Sequence, residues 1–543
     1  MEPSPRLDDR SANRVFVAVI LGALLLTLGV AYLDEDAFIS FRVVDNFVHG
    51  HGLRWNVDER VQVYTNPLWV LALIPLHAVF SNIGWASWTL SSVASTAAVG
   101  WIAWRLRREP AVLVGAFVAP LLLSQSFTDY TSSGLENPFL YLFIALFAER
   151  ALRAETEVPW LALCLTAALA ALTRLDSFLL FAPTLGWLWL RDVRRARYGA
   201  IVLGALPLLL WLGFALLYYG TVFPNPKYAK LNGGIPLARY IWLGGTYLLD
   251  TMRNDTVTFV GLLLGLLTAL YNRVPVAIRL LLGGATLYCL YVVYVGGDFM
   301  AGRHFASPFF LTICTFALAA RGRPWTVNTL LLTLGVLLAT RFVVQPLTEQ
   351  KGVIQSREQN RYAIVRNGGI RLQRFNCGYY EALIGSRGPL PEHSWSAAGI
   401  TDRGEAKAFH ATNPDAPYVV VDGNIGKIGY FGGPTVTYID RLGIADAMMA
   451  RLPDSDGKLE MSGHLWRDVP LDYYNARRTG SFEGIDPDFR AYYEPLRLIL
   501  SGPLLDPDRL TAIWKMNTGA YDASLRAYVA RLDEVEIYKE PKK

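Results

Sequence analysis

The chain has 543 residues, of which 52% are hydrophobic and only 18% charged, with a formal net charge of +5. Soluble chains carry about 25% charged residues, and here apolar runs fill the sequence up to about Val344 before ordinary mixed sequence takes over. This excludes a soluble enzyme, a disordered chain and a disulfide scaffold, and leaves a polytopic membrane protein with a mixed tail.

The first segment, Met1–Arg14, carries Arg6, Arg10 and Arg14 ahead of the apolar run Val15–Tyr32. The run is too long for a signal core and lacks a small-residue cleavage site, so a retained signal anchor is expected. Spans are then expected at 14–33, 85–105, 111–128, 136–152, 158–173, 176–190, 198–219, 256–272, 277–296, 304–320 and 325–345, since crossing takes about 20 mostly apolar residues. The stretch 67–80 is apolar but short, with two prolines, and reads as a re-entrant or interfacial helix.

Arginine placement tests that choice. With the N-terminus cytoplasmic and 67–80 not crossing, the internal loops carry Arg107/Arg108, Arg150/Arg153, Arg191/Arg194/Arg195/Arg197, Arg273 and Arg321/Arg323. If 67–80 crossed, all of these would move outside. The reading is therefore eleven spans with an external C-terminal tail: residues 1–345 as a membrane module with a first external loop at 34–84, and 346–543 as a soluble α/β domain. The arginines mark topology, and no nucleic-acid surface is expected.

The odd polar residues collect on the external face. Asp34-Glu35-Asp36 ends the first span, and the stretch after it has apolar residues at 37, 38, 41, 44, 47 and 48. That is a helical stripe, so the acids are expected to cap a helix on the membrane surface. Three adjacent carboxylates repel one another and are costly to desolvate beside a membrane. They point to a general base, to a divalent metal held by Asp34 and Asp36, or to both; a solvated helix end is the alternative.

Arg174 with Asp176, and Asp298 with Arg303, interrupt apolar surroundings in the same way, either as ion pairs joining helix ends or as part of a site. No lysine precedes Lys227, so Lys227 and Lys230 on the external face stand out. Together with Arg174 and Arg303 they suit the oxygens of a phosphate, and a phosphate at that depth implies a phosphorylated lipid with its tail in the bilayer.

The histidines show no metal-ligand spacing. No Walker loop, dinucleotide fingerprint or serine elbow appears. Any activated sugar must therefore arrive on a carrier. Trp55, Tyr64 and Trp69 lie near the acids in sequence and are candidates for stacking on a sugar ring. Cys164, Cys289 and Cys314 lie in apolar runs and Cys377 is alone, so the tail must stand on its core. In the tail, Gly-punctuated apolar runs such as 419–426, 430–434 and 438–443 look like strands, and 373–386, 444–452 and 505–532 look helical.

The motifs DEDAFISFR, YTNPLW, SGLEN, TRLDS, FPNPKYAK, GGDFMAGR, GYFGGPTVTYIDRLGIADA and GHLWRD, in this order, resemble the arabinofuranosyltransferase B type of the GT-C glycosyltransferases. That group includes enzymes capping arabinan with β-(1→2)-arabinofuranose and pilin arabinosyltransferases. The resemblance implies a GT-C fold in a bacterial plasma membrane with an external active site. It implies a decaprenylphosphoryl-arabinofuranose type of donor, and a cell-envelope glycan or an exported protein as acceptor. Such a group usually shows Asp-Asp before Ala-Phe; here Glu35-Asp36 stands there with Asp34 ahead, so the base lies between Asp34 and Asp36, with Asp36 favoured by its place before Ala37. Motif residues Arg42, Tyr64, Asn66, Glu136, Asp176, Asn225 and Asp298 are the candidates for holding substrate. From another functional class, a transporter of the lipid would show repeat halves and broken midplane helices, and neither is seen in the sequence.

Overall fold

A computed structural model describes residues 6–154, 157–231, 234–322, 335, 362–367, 370–375, 418–455, 457 and 463–539. The first part is helical: α1 Asp9–Gly29, α2 Ala37–Val48, α3 Pro67–Phe80, α4 Ile83–Leu106, α5 Ala111–Leu123, α6 Gln125–Asp129, α7 Asn137–Ala151, α8 Trp160–Thr173, α9 Phe178–Asp192, α10 Tyr198–Tyr219, α11 Asn225–Leu231, α12 Leu237–Asn254, α13 Thr256–Leu270, α14 Val276–Tyr294 and α15 Arg303–Ala319. The tail adds strands β1 Tyr362–Asn367, β2 Ile370–Phe375, β3 Tyr418–Asp422 and β4 Val436–Asp440, with α16 Ile425–Gly432, α17 Leu471–Thr479, α18 Pro487–Ser501, α19 Pro507–Asn517 and α20 Asp522–Val529. β1 and β2 form an antiparallel pair, while β3 and β4 pair in parallel, with Val420 opposite Tyr438. A parallel pair needs a crossover, and α16 lies between the two strands in the chain.

Ten of the eleven expected spans coincide with helices, and 325–345 lies outside the described residues apart from Gly335. Only three described helices are long and apolar enough to cross a membrane: α1, α10 and α14. Four shorter apolar helices, α3, α5, α8 and α13, accompany them. A helix rises ~1.5 Å per residue. The 14 residues of α8 thus give about 21 Å, against a hydrocarbon core of ~30 Å.

The helices pack where small residues remove bulk. Gly204 of α10 sits on Cys164 and Leu161 of α8, and Gly284 of α14 meets the carbonyl of Leu180 in α9. A Cβ at either place would collide with backbone, as in small-residue packing between membrane helices.

Three sequence expectations shift. The loop 220–255 holds two helices, and α12 is amphipathic, with Leu237, Ile241 and Trp242 exposed and Tyr247 and Asp250 buried. Its mixed composition hid it from a search for apolar runs. In the tail, 505–532 is helical as expected, but 444–452 forms only the short 3₁₀ turn Met449–Arg451. The start of 373–386 continues strand β2, and the rest lies outside the described residues. Among the described residues, Ile425, Ile439, Met448 and Tyr493 of the tail belong to the same buried cluster as Phe41, Trp55 and Phe310.

Candidate active site

The turn between α1 and α2 positions the acids. Asp34 donates its N–H to the carbonyl of Ser133 at 2.9 Å, and its carboxylate accepts the Asp36 N–H at 2.9 Å. An Asx turn of this kind fixes the backbone ahead of a helix. Asp36 occupies the N-cap position of α2 but makes no capping hydrogen bond. The capping role expected of the acids is therefore absent at Asp36, whose carboxylate turns instead to Arg303 Nη1 at 3.5 Å. Glu35 turns the other way: its Oε1 accepts the Lys427 N–H of the tail at 2.9 Å. The triplet thus splits into a buried turn-former (Asp34), a link to the tail (Glu35) and one acid directed at the cations (Asp36).

Those cations come from distant segments. Between α14 and α15 the backbone takes positive φ at Gly296, Gly297 and Gly302, conformations that suit glycine. The turn sets Asp298 and Arg303 side by side, with Arg303 Nη1 3.6 Å from Asp298 Oδ2. Arg303 Nη2 also reaches Glu136 at 3.3 Å. Glu136, at the start of α7, receives Arg174 Nη1 at 3.0 Å and Asn66 Nδ2 at 3.0 Å. Arg174 grips Asp176 with a two-pronged contact of 3.1 and 2.8 Å. The two guanidiniums differ in what remains free: Nε, Nη1 and Nη2 of Arg174 all meet carboxylates, whereas the buried Nε of Arg303 has no hydrogen-bond partner.

His304, which the sequence did not single out, joins this network. Its Nε2 lies 3.3 Å from Asp298, and its Nδ1 faces Arg174 Nη2 at 3.1 Å and the Tyr288 hydroxyl at 3.3 Å. The signal available was its place directly after Arg303 in GGDFMAGR. Tyr288 and Tyr247 had none, being tyrosines of helical runs; the Tyr247 hydroxyl donates to the Met300 carbonyl at 2.9 Å and accepts the His304 N–H at 3.2 Å.

The remaining candidates have other partners. The exposed Lys230 has its charge acting on both Asp36 and Asp298, and its side chain packs at Gly463. Lys227 lies with its ammonium 3.3 Å from the centre of the Phe223 ring. Arg42 donates to the carbonyls of Trp55, Gly429 and Val436. Asn225 donates to the carbonyls of Gly443, Ile444 and Asp446. The Tyr64 hydroxyl meets that of Tyr219 at 2.7 Å. Trp55 and Trp69 are fully buried, and Trp69 donates to the Gly134 carbonyl at 3.0 Å. Arg42, Asn225, Tyr64, Trp55 and Trp69 build core and seams, and these three aromatic rings offer no open face to a sugar.

Electrostatics separates the acids further. Burial, reinforced by the charge of Asp36, pushes the Asp34 carboxyl up to about 8. Burial also raises Asp36, while Arg303 pulls it back down. Asp298 is buried too, yet the hydrogen bond and charge of His304 and the charge of Arg303 hold it well below the usual carboxylate range. Asp298 is thus a fixed anion and Asp34 holds its proton near neutrality, while Asp36 is raised by burial against the pull of Arg303. Asp36 alone of the triplet's site-facing acids is accessible, at 31% exposure against 3% for Asp34. Among the described residues no group of three or more His, Cys, Asp or Glu side chains is arranged to hold a metal ion by itself.

These features describe a helical membrane protein with a carboxylate–guanidinium centre gathered at helix ends. Within that class, the chain is similar to the terminal β-(1→2)-arabinofuranosyltransferase of Corynebacterium glutamicum, 28% identical over 324 residues, covering 51% of this chain and 46% of that one. It is also similar to the protein of the same name from Mycobacterium tuberculosis, 25% identical over 331 residues and 51% of each chain. The chain spans about half the length of these curated relatives. Both relatives carry the name of the arabinofuranosyltransferase group that the motifs resemble. No protein-family model matches the chain, and no solved structure matches it.

Proposed function

We propose that the protein is a membrane glycosyltransferase that moves arabinofuranose from a polyprenyl-phosphate donor to a hydroxyl of a cell-envelope glycan. The observation that carries this reading is the pairing of an accessible carboxylate, Asp36, with Arg303, whose Nε is free to take an anion. Asp36 takes the proton of the acceptor hydroxyl as its oxygen bonds to the anomeric carbon. The bond from that carbon to the phosphate oxygen breaks, and the phosphate leaves with the electron pair. Arg303 and Lys230 offset its charge, as preorganised cations do in other group transfers. Arg174, its fork already filled by Glu136 and Asp176, holds the frame rather than the phosphate.

The same reading places the protein in a bacterial plasma membrane with eleven spans and the N-terminus in the cytoplasm. The centre and the domain at 346–543 face outward. The arginine-rich loops support this, notably the one holding Arg191, Arg194, Arg195 and Arg197. A cysteine placed at 191–197 should accordingly be labelled only from the cytoplasm; labelling from outside would reverse the topology.

The test is reconstitution in vesicles with a polyprenyl-phosphate arabinofuranose donor, offering glycan and exported-protein acceptors separately. Sugar transfer to glycan is expected. Transfer only to protein would change the acceptor. Movement of the donor across the bilayer without transfer would replace the reading with a transporter.

A further inference from the structure

Helix α19 carries an apolar flank that no described element covers. Leu510 is 40% exposed and Trp514 71%, and the connection before the helix exposes Leu504 at 39% and Leu505 at 73%. Positions 510 and 514 are one turn apart and share a side of the helix. The other flank is polar: Asp508, Thr511 and Lys515 line a cleft with Arg490, Glu494 and Arg497 of α18. Arg509, Ala512 and Ile513 form the buried face.

The helix is seated on the C-terminal end of α10. Arg509 donates to the carbonyls of Leu217 and Tyr218 at 2.9 and 3.0 Å, and Asn517 donates to the carbonyl of Gly220 at 2.7 Å. These are the carbonyls a helix end leaves without internal partners. α10 has 22 residues, is long and apolar enough to cross a membrane, and is almost unburied along its length. Its outer wall, with Leu210, Phe214 and Leu217 exposed, runs up to the point where α19 docks. Among the described residues, the apolar flank of α19 thus starts where the exposed apolar wall of α10 ends. At ~1.5 Å per residue α10 spans about 33 Å, so its end lies where hydrocarbon gives way to headgroups. Tryptophan favours that depth.

We propose that Leu504, Leu505, Leu510 and Trp514 insert into the leaflet in which α10 ends, so that the tail rides on the bilayer surface through an interfacial anchor separate from the candidate active site. The occupant is the lipid surface, recognised by apolar area at headgroup depth, as for amphipathic helices lying in the interface.

The test uses the full chain with its native cysteines replaced, carrying Trp514→Cys labelled with an environment-sensitive nitrobenzoxadiazole. The protein is reconstituted in phosphatidylcholine–phosphatidylglycerol vesicles. Nitroxide lipids labelled near the headgroup should quench this probe, and aqueous iodide should not. The same label at Lys515→Cys, on the cleft flank, should show the reverse. Quenching of the 514 probe by iodide alone would leave the flank in water. Insensitivity to both quenchers would place it against protein, such as a second copy of the chain. Either result overturns the proposal. If the 514 variant does not fold, Leu505→Cys carries the same readout.

Discussion

Arg42, Arg467 and Arg509 direct their guanidinium groups at backbone carbonyls, whereas Arg174 and Arg303 direct theirs at carboxylates. The first three are at most 2% exposed and reach across the seam between helices and tail: Arg467 to Ala229, Arg42 to Gly429 and Val436, Arg509 to Leu217 and Tyr218. The other two are 11–12% exposed and sit where helix ends open. A carbonyl cannot titrate or move away, so an arginine held by carbonyls is a rivet. A carboxylate neutralises its arginine only while nothing better is present, so an arginine held by carboxylates with a nitrogen left over, as Arg303 has and Arg174 has not, can exchange part of its partners for a phosphate. One chemical group serves two purposes, and its acceptors decide which.

The largest effect expected from breaking the second group is at Asp36. General-base help is worth ~10²–10⁴-fold in rate. Asp36→Asn should lose turnover by that order in a single-turnover transfer assay, with donor binding and thermal midpoint kept. Asp34→Asn should cost less, since Asp34 serves the turn through its bond to the Asp36 N–H. The reverse ranking would hand the base to Asp34. Because burial raises Asp36 above the ordinary 3.8, the acid limb of the pH–rate profile should lie above that value.

Breaking the first group should act on folding instead. Arg467→Ala leaves the carbonyls of Leu452, Leu442, Leu465 and Ala229 without their donor. An unsatisfied buried group costs ~1–3 kcal/mol, so a loss of at least about 3 kcal/mol is expected in the chemical unfolding curve. Turnover per folded molecule should stay near the unaltered value. A variant that unfolds normally but binds donor poorly would show that Arg467 belongs with Arg303 after all.

A smaller effect follows from Asp34. Its folded carboxyl titrates at about 8 against an ordinary 3.8, raised by burial. The native state therefore keeps a proton that the unfolded chain gives up. This contribution to stability is complete below the ordinary value and is lost as pH rises through the folded one. Thermal midpoints should decline between about pH 4 and pH 8, and Asp34→Asn, which cannot ionise, should flatten that decline. An unchanged slope would mean that Asp34 is ionised in the folded protein.

The two arginine groups look alike in the sequence, which explains what could be read from it. Hydropathy located the helices, because bilayer and core demand apolar runs whatever lies around them. The external polar motifs led to Asp36, Glu136, Arg174, Asp176, Asp298 and Arg303, which do converge. Arg42 and Asn225, from the same kind of motif, turned out to bind the tail, because the tail's return over the first loop has no local signature. His304 has no sequence signature of its own, because its neighbours are an acid, a guanidinium and a phenol drawn from other segments of the chain. The amphipathic α12 was missed for a related reason: one face is polar, so its mean hydropathy is low although it packs on α14 through Gly244 and Val293.

The two lysines sharpen the comparison at its smallest scale. In sequence they are equal candidates, three residues apart in FPNPKYAK. In the structure Lys227 lies over Phe223, on the outer side of α11, and its ammonium has an aromatic face for a partner. An exposed contact of that type is worth ~0.5–1 kcal/mol. Lys230 extends to Gly463 with its charge acting on Asp36 and Asp298, the acids that face Arg303. A hydrogen bond to a charged group is worth ~1.5–3 kcal/mol, so Lys230→Ala should weaken lipid-donor binding about tenfold or more. Lys227→Ala should change it by less than about threefold, within the loss of one cation–π contact. Titrating donor into each variant in detergent separates them, and higher salt should narrow the Lys230 difference, since exposed charges are screened. Equal losses would mean that α11 presents both ammonium groups to the phosphate and that Lys227 leaves Phe223 when the donor arrives. In that case the lysines would belong with Arg303, as cations that exchange partners, in contrast to the arginines that backbone carbonyls hold fixed across the seam.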